Sequence, residues 1–308
     1  MLRITGLKKN YNRFPVLQSL NMSVERGDVY GLIGTNGCGK TTTMNIICNI
    51  IPKDEGTIDF DDGEARIGYL PEMPALYGYM NGFEYLDFIG ACCNYNGDIK
   101  ARTTEVLHIT GMINNAKRLI KGYSRGMVQR IGIAAAIYAN PELLILDEPT
   151  SALDPEGRAE VMETIRRLAG YGATIILCTH ILADVERVSN KVGIIRHGVM
   201  AVEGRLPEIV KMYGGTTAVY VHLRYMPEPT DPLFSLGLVE QSEIFPYGLT
   251  LYAKAGVSEA ELFYKVVTTL AENHVVPESV SFKRLSLEQI YIGINNDMIR
   301  PIAPWQGG

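Results

Sequence analysis

Three short runs of the chain are almost continuously apolar, at residues 29–33, 143–146 and 173–178. A strand that lacks polar alternation is buried on both faces, as in a parallel sheet covered by helices. The segment that follows residue 154 repeats its apolar side chains at helical spacing and predicts a helix. The pattern therefore predicts an α/β fold.

Shorter elements surround these runs. Strands are expected at residues 2–4, 17–24 and 66–70, with turns at residues 8–12 and 55–56. These strands are short and interrupted by turn residues, in contrast to the continuously apolar runs.

From Asn81 onward the spacing becomes helical. Asn81 and Glu84, three positions apart and followed by an apolar run, form a capping box. We expect a helical subdomain at about residues 74–140, inserted into a larger α/β domain that spans residues 1–205.

The remaining residues, 206–308, have a different pattern of apolar and polar positions. Strands are expected at residues 217–223 and 248–253, and an amphipathic helix at residues 258–273. We interpret this part as a small accessory α+β domain that carries no chemical motif.

The composition of the chain limits the functional classes to which the protein can belong. A net charge of −5 argues against general coating of nucleic acid, which relies on clustered Lys and Arg, so no nucleic-acid partner is expected. The five cysteines lack the C-x-x-C spacing of a zinc site. No apolar run approaches the ~18 residues that span a bilayer, so a cytoplasmic protein is expected.

A glycine-rich loop lies between the strand at residues 29–33 and a helix expected at residues 41–51. Glycines let backbone N–H groups approach phosphate oxygens, and the helix start adds positive charge. We expect Lys40 to bridge the β- and γ-phosphates, Thr41 to bind Mg²⁺ and Thr42 to face the α-phosphate. The alternative is a plain glycine turn before a helix. The predicted nucleotide-binding residues of the loop are Gly34, Thr35, Asn36, Gly37, Cys38, Gly39, Lys40, Thr41 and Thr42.

Two acids end the run at residues 143–146 and should emerge at the carboxyl edge of the sheet, beside this loop. Asp147 is expected to hold Mg²⁺, and Glu148 to polarise the water that attacks the γ-phosphate. The alternative is that two acids simply end a strand. Tyr11, in the turn at residues 8–12, is either a purine-stacking aromatic or a tyrosine that closes a hairpin.

These motifs, in their order along the chain, resemble those of the nucleotide-binding subunit of an ATP-binding cassette (ABC) transporter. The resemblance covers about residues 1–205. The resemblance assigns residues 34–42 to the Walker A loop, residues 123–130 to the signature motif and residues 151–154 to the D-loop. It also implies that Tyr11 stacks on adenine and that His180 is the switch histidine. The fold implied is an α/β P-loop NTPase (RecA-like) core with an antiparallel β subdomain and a helical insert, followed by a small C-terminal α+β domain.

The resemblance also implies partners. Two cassettes, either two copies of this chain or one copy and a homologous cassette, close around two ATP molecules. Ser124 and Gly126 of each cassette meet the γ-phosphate held by the other. ATP hydrolysis then drives a separate integral membrane permease, which places the chain on the inner face of the membrane. The C-terminal domain, with residues 286–292 at its end, resembles tails found on cassettes of the bacterial ABC-2 exporter type.

Departures from the family pattern concern three motifs. Glu72 stands where the Q-loop glutamine is usual, and its carboxylate can still bind Mg²⁺ or the attacking water. Arg125 and Met127 replace a glycine and a glutamine of the signature. Thr35 stands where proline is common.

Residues 72–95 correspond to the region where family members dock a permease. Tyr77, Tyr79, Phe83 and Tyr85 are candidates for that apolar surface, although packing inside the helical insert is the alternative for each. The alternatives are a soluble ABC ATPase acting on a macromolecular partner, a GTPase and a module that binds ATP without hydrolysis. The chain has no N-K-x-D motif for reading guanine.

Overall fold

The computed structural model describes residues 1–12, 14–213, 217–228, 231–254, 256–283 and 286–295. The chain forms two compact units, the first spanning Met1–Leu206 and the second beginning at Pro207. The end of the predicted accessory domain, residues 296–308, lies outside the described residues.

The first unit contains both strands and helices. Its strands are β1 (Leu2–Tyr11), β2 (Phe14–Val24), β3 (Val29–Ile33), β4 (Glu55–Phe60), β5 (Ile67–Leu70), β6 (Leu143–Asp147), β7 (Thr174–Thr179), β8 (Lys191–Arg196) and β9 (Val199–Arg205). Its helices are α1 (Lys40–Ile47), α2 (Gly82–Cys92), α3 (Ile99–Ile109), α4 (Arg125–Ala136), α5 (Pro155–Gly170) and α6 (Leu182–Val188). Helix α7 (Leu206–Tyr213) follows β9 and lies almost wholly in the second unit.

A six-stranded sheet with the order β5-β6-β7-β3-β8-β9 forms the centre of this unit. Its strand pairs are parallel except for β8 and β9, which pair antiparallel. Alternate side chains of β6 enter different cores: Leu143 and Ile145 join one cluster, and Leu144 and Leu146 join the other. The strand is therefore buried on both faces, which confirms the α/β fold predicted from its unbroken apolar run.

The strand register aligns the ends of three strands at one edge of the sheet. Ile33 pairs with Thr179, and Asp147 pairs with Cys178. The loop that follows β3, the acids that end β6 and His180 after β7 therefore emerge side by side.

A smaller antiparallel sheet has the order β2-β1-β4. Two turns predicted within it are wrong, because residues 8–11 belong to β1 and β4 begins at Glu55. Register shifts interrupt the pairing of β1 with both neighbours and hide its alternation in the sequence. Gly56 has a φ of 92°, and a Cβ there would lie 2.6 Å from the Gly6 carbonyl oxygen. The glycine therefore permits a close approach of two strands and does not mark a chain reversal.

The segment between β5 and β6 contains α2, α3 and α4. The predicted capping box is confirmed: the Asn81 N–H donates to Glu84 Oε2 at 2.9 Å, and the Glu84 N–H donates to Asn81 Oδ1 at 3.1 Å. Helix α1 ends at Ile47, four residues earlier than predicted, and Asn49 takes a φ of 56° directly after it.

The second unit has a four-stranded antiparallel sheet with one helix packed on it. Its strands are β10 (Ala218–His222), β11 (Val239–Phe245), β12 (Gly248–Ala253) and β13 (Ser279–Phe282), in the order β11-β12-β10-β13. After α7, its described α-helices are α8 (Glu259–Glu272) and α9 (Leu287–Asn295). Leu262, Val266 and Leu270 of α8 are buried in the core of this unit, as their spacing predicted, whereas β11 and β13 were not anticipated.

Candidate functional site

A cleft of about 420 Å³ opens at the carboxyl edge of the central sheet. It brings together side chains from the glycine-rich loop, from the segment after β5 and from the ends of β6 and β7. Its lining residues are Val16, Asn36, Gly37, Gly39, Lys40, Thr41, Thr42, Glu72, Glu148, Ser151 and His180. Nine of these eleven were predicted from the sequence.

The loop geometry explains its glycine and lysine. Gly39, the N-cap of α1, has a φ of 110°, and a Cβ there would lie 2.6 Å from Leu17 Cδ2. Any other residue would be strained and crowded at this position. Lys40 is buried, and its ammonium donates a hydrogen bond to the Gly34 carbonyl oxygen at 2.8 Å. The lysine charge is therefore held at the centre of the loop.

Asp147 lies beneath this charge at the end of β6. Its side chain is almost fully buried, and neither carboxylate oxygen has a hydrogen-bond partner among the described residues. Burial raises the pKa of this carboxyl, while the nearby Thr41 hydroxyl acts to lower it without forming a full hydrogen bond. A buried carboxylate without a partner is costly unless a cation is bound to it.

Glu148 is the point at which the other polar groups meet. Its Oε2 lies 2.9 Å from His180 Nδ1 and accepts a hydrogen bond from the Thr179 hydroxyl at 3.3 Å. Its Oε1 lies 3.8 Å from Lys40 Nζ. The residue has a φ of 48°, a conformation rare outside glycine and common at functional sites.

Glu72 enters the cleft from the segment after β5. Its side chain is exposed, and its backbone carbonyl accepts a hydrogen bond from the Gln129 side-chain amide at 3.0 Å. Gln129 belongs to α4, so the helix that begins at the predicted signature also positions the Glu72 backbone.

The signature residues Ser124 and Gly126 lie at the start of α4 and do not line the cleft. The Ser124 hydroxyl accepts a hydrogen bond from the Met127 N–H at 3.3 Å and caps the helix. The side chain is exposed, so its oxygen remains accessible at the positive end of α4.

Similarity to known proteins supports the resemblance to the ABC transporter family. The family described as "ABC transporter" matches residues 17–151. The linearmycin resistance ATP-binding protein LnrL of Bacillus subtilis (strain 168) is 31% identical over 315 residues, covering 97% of this chain and 100% of LnrL. The chain belongs to the ABC transporter family. It is an ATP-binding subunit of such a transporter and an ATPase.

Further similarities agree with the family assignment. The lantibiotic transport ATP-binding protein SrtF of Streptococcus pyogenes is 37% identical over 209 residues, covering 66% of this chain and 90% of SrtF. A solved structure of an ATP-binding subunit of an ABC transporter has a TM-score of 0.62 and 28% identity, over 70% of this chain and 93% of that one. These similarities confirm the P-loop NTPase fold of this ABC ATPase.

Several predicted site residues of this ABC ATPase lie outside the cleft. Gly34, Thr35 and Cys38 belong to the loop but do not line the cleft. Burial raises the pKa of the Cys38 thiol, although the Lys40 charge opposes this shift. Tyr11 is 45% exposed at the end of β1, where it pairs with Phe14 and so closes the hairpin. Its stacking on adenine stays a prediction.

Two cleft residues were not predicted as ligand contacts, Val16 and Ser151. Ser151 lies in the D-loop and could have been found from its position three residues after Glu148. Val16 gives no such signal, because it comes from β2 and reaches the cleft only through tertiary packing.

The predicted docking region is partly exposed. Tyr77 and Tyr79 are 43% and 72% exposed, with ring centroids 5.7 Å apart. Tyr85 is buried against the helical core, so its assignment to the surface was wrong and helix packing is the correct alternative. Phe83 is partly buried against the same core. No helix in the described part of the chain is long and apolar enough to cross a bilayer.

Proposed function

We propose that this ABC ATPase hydrolyses ATP in the cleft with Glu148 as general base. The convergence of Lys40, Glu148 and His180 within one cleft carries the proposal. Lys40 binds the β- and γ-phosphates, Glu148 takes a proton from the attacking water, and His180 orients Glu148 through the contact at Nδ1. Glu72 faces the same cleft and orders the water or the metal from the opposite side.

Mg²⁺ fits the residues below the phosphate loop. The orphaned carboxylate oxygens of Asp147 and the exposed Thr41 hydroxyl provide the hard oxygen ligands that this ion prefers. When bound, the ion neutralises phosphate charge in the reaction. A bound dication also offsets the burial of Asp147, because it favours the ionised carboxylate.

A second cassette completes the site in this proposal. Ser124 and Gly126 stand at the N-terminus of α4, an anion-binding position, yet neither faces the cleft of its own chain. They therefore contact the γ-phosphate bound by another copy of the chain or by a homologous cassette. Tyr11 stacks on the adenine of its own cleft from the end of β1.

The transporter partner is a separate polytopic permease, and the direction of transport is export. Tyr77, Tyr79 and Phe88 form an exposed aromatic surface, here called the aromatic patch, with Tyr77 and Phe88 ring centroids 5.6 Å apart. Such a surface suits an apolar helix of a partner. The names of LnrL and SrtF, linearmycin resistance and lantibiotic transport, favour export of a compound of one of these kinds from the inner face of the membrane.

The test is affinity capture of a tagged Glu148→Gln variant from detergent-solubilised membranes of the source cell, with and without ATP. A stoichiometric polytopic membrane protein is expected. Tyr79→Ser should weaken its recovery, and Tyr264→Ser, at a tyrosine of similar exposure in the second unit, should not. Recovery of ribosomes or of a soluble complex instead would favour a non-transport ATPase acting on a macromolecular partner.

A further inference from the structure

A buried carboxylate outside the cleft collects three hydrogen bonds. Asp184 is 3% exposed and accepts the Thr150 hydroxyl at 2.6 Å through Oδ2. Its Oδ1 accepts Arg158 Nε at 2.9 Å and Arg158 Nη2 at 2.8 Å. We call these three side chains the Asp184 clamp. None of them has a part in the site described above.

Each member of the clamp belongs to a different part of the catalytic edge. Thr150 comes two residues after Glu148, and Asp184 lies on α6, four residues after His180. Arg158 lies in the first turns of α5, just after the D-loop. The clamp therefore joins the segment that carries the general base to the helix that follows the histidine, through contacts among residues distant in sequence.

The backbone on both sides of Thr150 is in an unfavourable conformation. Glu148 and Ala152 have φ values of 48° and 56°, in the left-handed region that non-glycine residues rarely occupy. Such conformations persist only where the surrounding structure holds them. Thr150 is itself buried at the centre of this segment, so its hydrogen bond to Asp184 is well placed to hold both strained residues.

We propose that the Asp184 clamp is a positioning device that keeps Glu148 and His180 in register for hydrolysis. The clamp fixes the Glu148 backbone relative to α6, and this preserves the 2.9 Å contact between Glu148 Oε2 and His180 Nδ1. An ion pair contributes little net stability compared with apolar packing, so we assign the clamp a geometric role. The proposal rests on the role of Glu148 in the proposed function.

Two substitutions at Thr150 separate the effect of losing its hydrogen bond from the effect of changing its packing. Thr150→Val removes the hydroxyl and keeps the shape, and Thr150→Ser keeps the hydroxyl. Loss of a hydrogen bond to a buried carboxylate should lower kcat for ATP by about tenfold in Thr150→Val, whereas Thr150→Ser should stay within about threefold of the wild type. KM for ATP should be unchanged in both variants, because residue 150 does not contact the nucleotide in the proposed site. Asp184→Asn should lose kcat at least as severely as Thr150→Val.

Asp28 provides a matched control. It is 2% exposed and accepts Arg205 Nη1 at 2.7 Å and the Glu25 N–H at 2.9 Å, but it lies before β3, at the opposite edge of the sheet. Asp28→Asn should lower the melting temperature about as much as Asp184→Asn and leave kcat unchanged. Equal kcat losses in both Asp variants would overturn the proposal, as would a wild-type kcat in Thr150→Val.

The same assay separates this proposal from the proposed function. If Glu148→Gln turns over ATP like the wild type, the role of Glu148 fails. If Glu148→Gln is inactive and Thr150→Val is fully active, only the Asp184 clamp fails.

Discussion

At the scale of residues, Glu148 has the most demanding environment in the cleft. A lysine ammonium, a histidine ring and a threonine hydroxyl all approach its carboxylate, while its own backbone is strained. These contacts fix the position of the carboxylate in the cleft, as a general base requires.

The first prediction concerns the carboxylate of this residue. Glu148→Gln keeps the shape and can still contact His180, but it cannot accept a proton from water. Turnover should fall at least about a hundredfold, the usual contribution of a general base, while ATP still binds. Phosphate release and equilibrium nucleotide binding measure the two effects. Glu64→Gln, at an exposed position, should change neither, and comparable losses in both variants would contradict the assignment.

Site residues that lie close together in the sequence could be predicted, whereas contacts between residues far apart in the sequence could not. Lys40 and Thr41 lie in one local motif, and Asp147 and Glu148 end one apolar run, so spacing alone predicted where they would be. The contacts of Gln129 with the Glu72 carbonyl and of Asp184 with Thr150 join residues 57 and 34 positions apart. No local pattern marks such pairs, because they form only when the elements pack.

At the scale of elements, the long and continuously buried elements were predictable and the irregular ones were not. The strand β12 and the helix α8, with Ser258 as its N-cap, match the prediction closely. The predicted turns in β1 and β4 failed because bulges there break the period of two on which strand recognition depends. The strands β11 and β13 expose much of their length, so they carry no clear apolar pattern.

The second prediction concerns Glu203, which links three strands. Glu203 on β9 accepts the Ser23 N–H of β2 at 2.8 Å and the Tyr30 hydroxyl of β3 at 3.0 Å. Burial raises the pKa of Glu203 above its ordinary value of 4.5. The folded protein therefore binds this proton more tightly than the unfolded chain does. The resulting stability is present below pH 4.5 and is lost as the pH rises through the folded-state pKa.

Glu203→Gln removes this titration. The melting temperature of the wild type should fall relative to that of the variant as the pH is raised from the ordinary pKa toward neutrality. Each unit of pKa shift corresponds to about 1.4 kcal/mol of unfolding free energy. Melting curves across this pH range measure the difference, with Glu64→Gln as the reference for an exposed carboxyl. Parallel profiles for the wild type and Glu203→Gln would contradict the raised pKa.

At the scale of the whole molecule, the proposed site is divided between two surfaces of the chain. The cleft holds Lys40 and Glu148, whereas Ser124 stands outside it at the start of α4. If each ATP is held between two copies, Lys40→Ala and Ser124→Asp damage different halves of one composite site. Aspartate is also a good helix cap, so Ser124→Asp keeps α4 capped while placing a negative charge against the γ-phosphate.

The third prediction is that two inactive variants restore activity when they are mixed. Lys40→Ala should lose ATP binding and Ser124→Asp should lose turnover, each measured alone. In an equimolar mixture, half of the dimers are mixed, and each mixed dimer has one site with both its lysine and its serine intact. Turnover should therefore recover to about a quarter of the wild-type rate when pairing is random.

A second mixture provides the control, because Lys40 and Glu148 lie in the same cleft with Nζ and Oε1 only 3.8 Å apart. A mixed dimer of Lys40→Ala and Glu148→Gln has one lesion in each cleft and no intact site, so its turnover should stay at the level of the variants alone. Recovery in the first mixture and not in the second would require that Ser124 acts on the nucleotide of the other copy. Absence of recovery in both, with dimers present, would mean that Ser124 serves its own cleft or that the active partner is a different cassette.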